Sequence, residues 1–236
     1  MPTYDRYSAL PRYRDADLVA AFMRGVYGWM CGGLAITAVT AWLVASSPAM
    51  TAAIFGNRAV FWILAIAQLG IVFALSARVE RMAVSTASLL FVVYSALTGL
   101  TLSAILLAYT GESVFGTFVV AASMFGALAA YGTVTRRELS GFGQLLFMGL
   151  IGIVVASIVG LFWQSDALQF VISFIGVIVF AGLTVYDAQR LKGLAFATSA
   201  GPTSGAAIVG ALALYLDFIN LFLFLLRFLG TRRRDW

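Results

Sequence analysis

Seven long apolar stretches leave this chain few folds to choose from. A helix needs about 20 mostly apolar residues to cross a bilayer. The sequence offers such runs at roughly 24–46, 59–77, 84–108, 114–134, 142–163, 168–189 and 206–229. Hydrophobic residues make up 62% of the chain and charged residues 11%, whereas a soluble domain is about half apolar and a quarter charged. The runs are continuous rather than alternating, so they read as helices and not as barrel strands. Backbone polar groups in lipid must then bond within each segment. The reading is an all-α, polytopic membrane protein: a polar N-terminal tail (1–23), one seven-helix membrane domain (24–230) and a basic C-terminal tail (231–236). The first twenty residues are polar and read as no cleavable signal peptide.

The breaks between runs are chemically sensible. Pro48 follows Ser46 and Ser47, and proline cannot continue a helix hydrogen-bond ladder. Basic residues sort by side. Arg6, Arg12, Arg14 and Arg24 precede or open the first run, and Arg78, Arg81, Arg136, Arg137, Arg190 and Lys192 fall on that same side. The first three connections on the opposite side hold only Arg58. This pattern puts the N-terminus in the cytoplasm. Arg227, Arg232, Arg233 and Arg234 contradict it: seven crossings place them outside, so either the last run does not fully cross or the earlier loops overrule the tail. Seven crossings are expected. The bilayer accounts for the basic balance, and nucleic acid is not an expected partner. Glycines such as Gly28, Gly32 and Gly33, or Gly149, Gly152 and Gly160, read as close helix packing. The methionines likewise read as packing rather than metal ligation.

Histidine is absent and Cys31 is the single cysteine. Histidine-based catalysis, histidine zinc sites and disulfide frameworks are thereby excluded. Carboxylates remain. Asp217 lies inside the last run with Asn220 one turn on, and Asp187, flanked by Tyr186 and Gln189, ends the sixth. A charge inside hydrocarbon costs several kcal/mol and marks a functional site by default. Two carboxylates that meet cannot both be comfortably ionised and titrate as a unit. Such a pair is a proton-sensitive latch: with a proton it holds two helices by a hydrogen bond, and without one it repels or binds a cation such as Ca²⁺. Depth is the difficulty. Asp187 falls about one turn from its membrane face, and Asp217 roughly 16 Å from the same face at 1.5 Å per residue. For them to touch, the sixth helix must continue past Asp187 or the seventh must enter later than Gly205. Otherwise Asp187 is an interfacial residue in contact with water. Arg78 and Arg81, at the end of the second run, are able to pair with a carboxylate or simply to set topology.

The stretches 23–42 (MRGVYGWMCGGLAITAVTAW), 94–105 (YSALTGLTLSAI), 135–143 (TRRELSGFG), 180–192 (FAGLTVYDAQRLK) and 214–230 (LYLDFINLFLFLLRFLG) resemble the Bax inhibitor family, in its bacterial YccA-like branch. The last of these is the most specific. The resemblance runs from about residue 20 onward and implies seven helices around one central helix, in a bacterial inner membrane. It also implies a pH-sensitive cation leak, chiefly of Ca²⁺, gated by an aspartate pair that falls on Asp187 and Asp217. The family's arginine tether falls on Arg81 by ungapped count, or on Arg78 with a gap. Asn220 and Tyr186 are expected as supporting polar groups. YccA-like proteins also resemble modulators of a membrane-bound quality-control protease, a role that would live in residues 1–23. No cofactor or resident metal is expected, and neither is enzyme activity. An intramembrane aspartyl protease would need Gly-x-Gly-Asp, where this chain has Tyr215-Leu216-Asp217.

Overall fold

The computed structural model describes residues 9–78, 82–135, 137–163, 165–198 and 204–233. They form α1 (Ala9–Ala45), α2 (Pro48–Phe55), α3 (Arg58–Arg78), α4 (Val84–Ala108), α5 (Gly111–Val134), α6 (Ser140–Phe162), α7 (Asp166–Thr198) and α8 (Gly205–Leu229). All but the short α2 are long and apolar enough to cross a membrane, which gives the seven spans expected. Hydroxyl caps mark several starts. Ser47 Oγ accepts from the Met50 amide ahead of Pro48, Thr110 Oγ1 from Ser113, and Ser204 Oγ from Ala207. Each satisfies one of the amides that a helix start leaves without an internal partner.

The bundle is wound around α8. This helix packs against α1, α4, α5 and α7, and is buried nearly all round from Ala207 to Leu226. A helix apolar on every side belongs in an interior. By contrast, α3 lies against α4, and α6 lies mainly against α7. Their large side chains, among them Phe73, Leu145 and Ile158, point outward, where hydrocarbon would meet them in a bilayer. Glycine sets two of the close approaches. A Cβ on Gly132 of α5 would strike the Val185 carbonyl oxygen of α7, and one on Gly176 of α7 would lie 2.6 Å from the Phe224 ring of α8.

Three boundaries differ from the sequence expectation. The first span does not start at Arg24: α1 is helical from Ala9, and Val19, Phe22 and Met23 are buried with Val26 and Met30 in the core. Their three- and four-residue spacing continues one packed face back through the polar stretch. The sixth span does not stop near Gln189. α7 runs to Thr198, and Ala188, Leu191 and Ala195 are buried along one stripe. Gly210 of α8 makes room for Leu191, since a Cβ there would stand 2.7 Å from Leu191 Cδ2. Third, the start of the basic C-terminal tail is part of the fold. Tyr109 and Arg232 form an antiparallel backbone bridge. The Thr110 amide donates to Thr231 O (3.1 Å) and the Arg233 amide to Ala108 O (3.0 Å). The Arg233 Nε also donates to Tyr109 O (3.1 Å). These contacts put the end of α8 beside the α4–α5 turn, on the face opposite its own start at Gly205. The last run therefore traverses the full bundle, and Arg227, Arg232 and Arg233, which opposed the charge pattern, sit at a defined place.

Candidate functional site

Asp217 stands midway along α8, about 18 Å from either end at 1.5 Å per residue, and is only 5% exposed. Asp187 reaches it from α7, and the two carboxylates are within side-chain hydrogen-bonding reach of each other. The extension of α7 past Asp187 makes the meeting geometrically sound. Asp187 is not at the end of its helix but more than two turns inside it, so both carboxylates lie at the same depth. Asp217 Oδ2 is buried and accepts no hydrogen bond from a described donor. Two ionised carboxylates are acceptors only, so a single proton on the pair supplies the donor that joins them. Arg190, one turn beyond Asp187 on α7, acts on it electrostatically. Among the described residues no third acidic or cysteine side chain joins the pair in a metal-holding cluster.

The other expected site residues lie elsewhere. Asn220 Nδ2 donates to its own helix at Leu216 O (2.8 Å), and Asn220 faces a groove lined from α6 and α7 rather than joining the pair. The Tyr186 ring covers Gly143 of α6, where a Cβ would come within 2.5 Å of it. Arg81 and the Arg78 side chain, the expected tethers, fall outside the described residues. Polar residues around Asp187 instead fasten α7 to the end of α5. Lys192 Nζ donates to Thr133 O (2.7 Å). Gln189 donates through Nε2 to Arg137 O (2.8 Å) and accepts the Leu139 amide on Oε1 (3.1 Å). Replacing Lys192 with methionine is expected to lower stability by about 1–2 kcal/mol, because a C-terminal carbonyl of α5 loses a charged donor. Thermal unfolding in mild detergent measures it.

Sequence reasoning missed a second polar cluster on the other side of α8. The fully buried Tyr215 meets Thr37 of α1, with 2.6 Å between the two hydroxyl oxygens. Thr37 Oγ1 lies 2.9 Å from both Gly33 O and Ser95 O, to either of which it donates. Phe91 and Tyr94 of α4 pack edge-on against the Tyr215 ring at 5.8 and 5.9 Å. A tyrosine beside the aspartate in the LYLDF stretch was the available signal, but a helical step of two residues turns it to the opposite face. Tyr215→Phe is expected to cost about 1 kcal/mol of stability, the worth of one hydrogen bond, and to leave any pH response of transport unchanged. A moved pH profile in this variant would tie the two clusters together.

An all-helical, multi-pass membrane protein wound around one buried helix, with carboxylates from its last two helices meeting inside, is the class that the fold and site define. The chain belongs to the Bax inhibitor family: a family profile described as "Inhibitor of apoptosis-promoting Bax1" matches residues 19–234. It is 52% identical over 215 residues to the inner membrane protein YbhL of Escherichia coli K12, covering 90% of this chain and 92% of that protein. It is also 44% identical over 225 residues to an uncharacterized protein of Deinococcus radiodurans (95% and 96% covered) and 43% identical over 216 residues to one of Borreliella burgdorferi (91% and 93% covered).

Proposed function

We propose that the chain is a proton-sensitive cation leak, with Ca²⁺ the principal ion, in which Asp187 and Asp217 form the latch. The observation that carries this reading is the meeting of the two carboxylates at mid-depth on the most buried helix, with Asp217 Oδ2 lacking a described donor. With one proton the pair links α7 to α8. Without it, two like charges in a low-dielectric interior push the helices apart and present oxygen ligands to a cation. The similarity to an E. coli inner membrane protein supports a bacterial inner membrane, and the arginines and lysine on the N-terminal face support a cytoplasmic N-terminus. No step in this reading requires bond chemistry, so the chain is not proposed to be an enzyme.

The test is flux from proteoliposomes loaded with a calcium-sensitive dye, across a range of pH, for the wild type, Asp187→Asn and Asp217→Asn. The reading requires both variants to alter the leak and flatten its pH dependence. Unchanged leak and unchanged pH response in both would sink it. Regulation of a membrane protease through residues 1–23 is less favoured, because Val19, Phe22 and Met23 of that segment are built into the core and are not free for a partner.

A further inference from the structure

On the face where α8 ends, a polar cavity of about 840 Å³ opens among α6, α7, α8 and the C-terminal segment. Arg227 and Arg232 line it together with Asp166, Gln169 and Ser173. Neither arginine is spent on a described carboxylate. The Arg227 guanidinium lies 5.9 Å from the Phe224 ring centre and that of Arg232 6.0 Å from the Tyr109 ring centre. Such stacking holds the fork in place and leaves its donors available. Phe170 and Phe228, with ring centres 5.3 Å apart, form part of the wall. Asp166 offsets one positive charge. It is the first residue of α7, where the amides of the helix start partly compensate a carboxylate.

A second cavity adjoins the first at Arg227. It is a groove of about 470 Å³, mostly apolar, that runs between α6 and α8 along Ile153, Val154, Ile158, Leu223 and Phe224 toward mid-depth at Asn220. Arg227 lines both spaces. A basic, hydrogen-bonding chamber at the end of the helices, sharing Arg227 with an apolar trough along the lipid-facing side, has the two-part chemistry of a glycerophospholipid. The net charge of the lining favours an anionic one. We infer that this site holds an anionic phospholipid such as phosphatidylglycerol, its phosphate between Arg227 and Arg232, its glycerol on Gln169 and Ser173, and one acyl chain in the α6–α8 groove. The inference is independent of the carboxylate pair and survives if the leak does not.

Binding is measured on the full chain, purified and delipidated in an uncharged detergent. Short-chain phosphatidylglycerol, phosphatidylethanolamine, phosphatidylcholine and inorganic phosphate are titrated separately, and the shift in thermal unfolding is read. Phosphatidylglycerol is expected to bind most tightly. The Arg227→Gln, Arg232→Gln double variant is expected to weaken it about tenfold or more, at about 1 kcal/mol for each basic side chain facing an anionic headgroup. Val154→Trp fills the groove from an exposed position and is expected to weaken the lipid while leaving the fold intact. Equal binding of all three lipids overturns the site, and this comparison needs no variant. A preference for phosphatidylethanolamine, whose ammonium would pair with Asp166, overturns the anionic assignment. Inorganic phosphate binding as tightly as the lipid, and indifferent to Val154→Trp, overturns the lipid in favour of a free anion.

Discussion

Asp217→Asn is expected to lower cation flux by roughly tenfold at the pH where the wild type leaks most, and to leave what remains nearly flat with pH. A tenfold change corresponds to about 1.4 kcal/mol, a modest demand on the removal of one charge from a site that is 5% exposed. The sign follows from the chemistry of the pair. Asparagine matches aspartate in shape but carries a permanent N–H donor. Facing Asp187, it reproduces the hydrogen-bonded arrangement that the aspartate pair adopts only with a proton. The latch then stays made, and the site also loses half of its negative charge toward a cation. Asp187→Asn is expected to act in the same direction and more weakly, because Asp187 is only partly buried and has Arg190 nearby. The double variant removes both carboxylates and should add little to Asp217→Asn if the two act as one unit. An additive double variant would mean two separate sites. The measurement is dye-reported Ca²⁺ flux from vesicles of fixed lipid composition, with protein content matched by quantitative blotting.

Gly132→Leu should produce the largest loss of stability. The added Cβ would meet the Val185 carbonyl oxygen, a backbone atom of α7, and a helix backbone does not rotate aside as a side chain does. Overpacking of this kind costs about 1–3 kcal/mol, and the remaining leucine atoms add to it. Relief requires α7 to move away from α5, and α7 carries Asp187. Thermal unfolding in detergent reads the first effect. A changed leak in the fraction that still folds reads the second. A Gly132→Leu protein of wild-type stability would show that α5 and α7 do not approach as closely as described. Gly152→Leu is the control, since a Cβ there meets nothing within 4 Å.

The spans were legible because hydrocarbon imposes a coarse rule, and a run of twenty apolar residues has few alternatives. Their ends were less legible for a physical reason. Charged residues at a membrane face stop the hydropathy signal but do not stop a helix. Arg190 and Lys192 read as a loop, yet both stand on α7, with Lys192 engaged at the end of α5. The buried stripe Ala188, Leu191 and Ala195 carries the amphipathic spacing that extends the helix. The same spacing in Val19, Phe22, Val26 and Met30 runs back into a segment that its charges make look like a free tail. Asp187 and Asp217 were singled out by the cost of a buried charge and by the family resemblance, and the depth mismatch between them vanished with the longer α7. The Tyr215–Thr37 contact was not legible, because it joins α8 to α1 across 178 positions of sequence and neither residue is unusual within its own helix. Asn220 was chosen for lying one turn from Asp217, but three residues on a helix leave room for a polar group to bond its own backbone instead.

The tether between Arg232 and the α4–α5 turn has a mechanical meaning. It fixes one end of the central helix by backbone hydrogen bonds at Ala108, Thr110, Thr231 and Arg233, so that end serves as a pivot. Any tilt of α8 is therefore greatest at its Gly205 end, with Asp217 partway along the lever. Gly230 lies thirteen positions beyond Asp217, about 20 Å of helix at 1.5 Å per residue. A tilt of about 3° over that arm displaces the carboxylate by roughly 1 Å, enough to break or make a hydrogen bond whose useful range spans about half an ångström. In the proposed latch, so small a rotation of a hinged rod suffices to separate the pair.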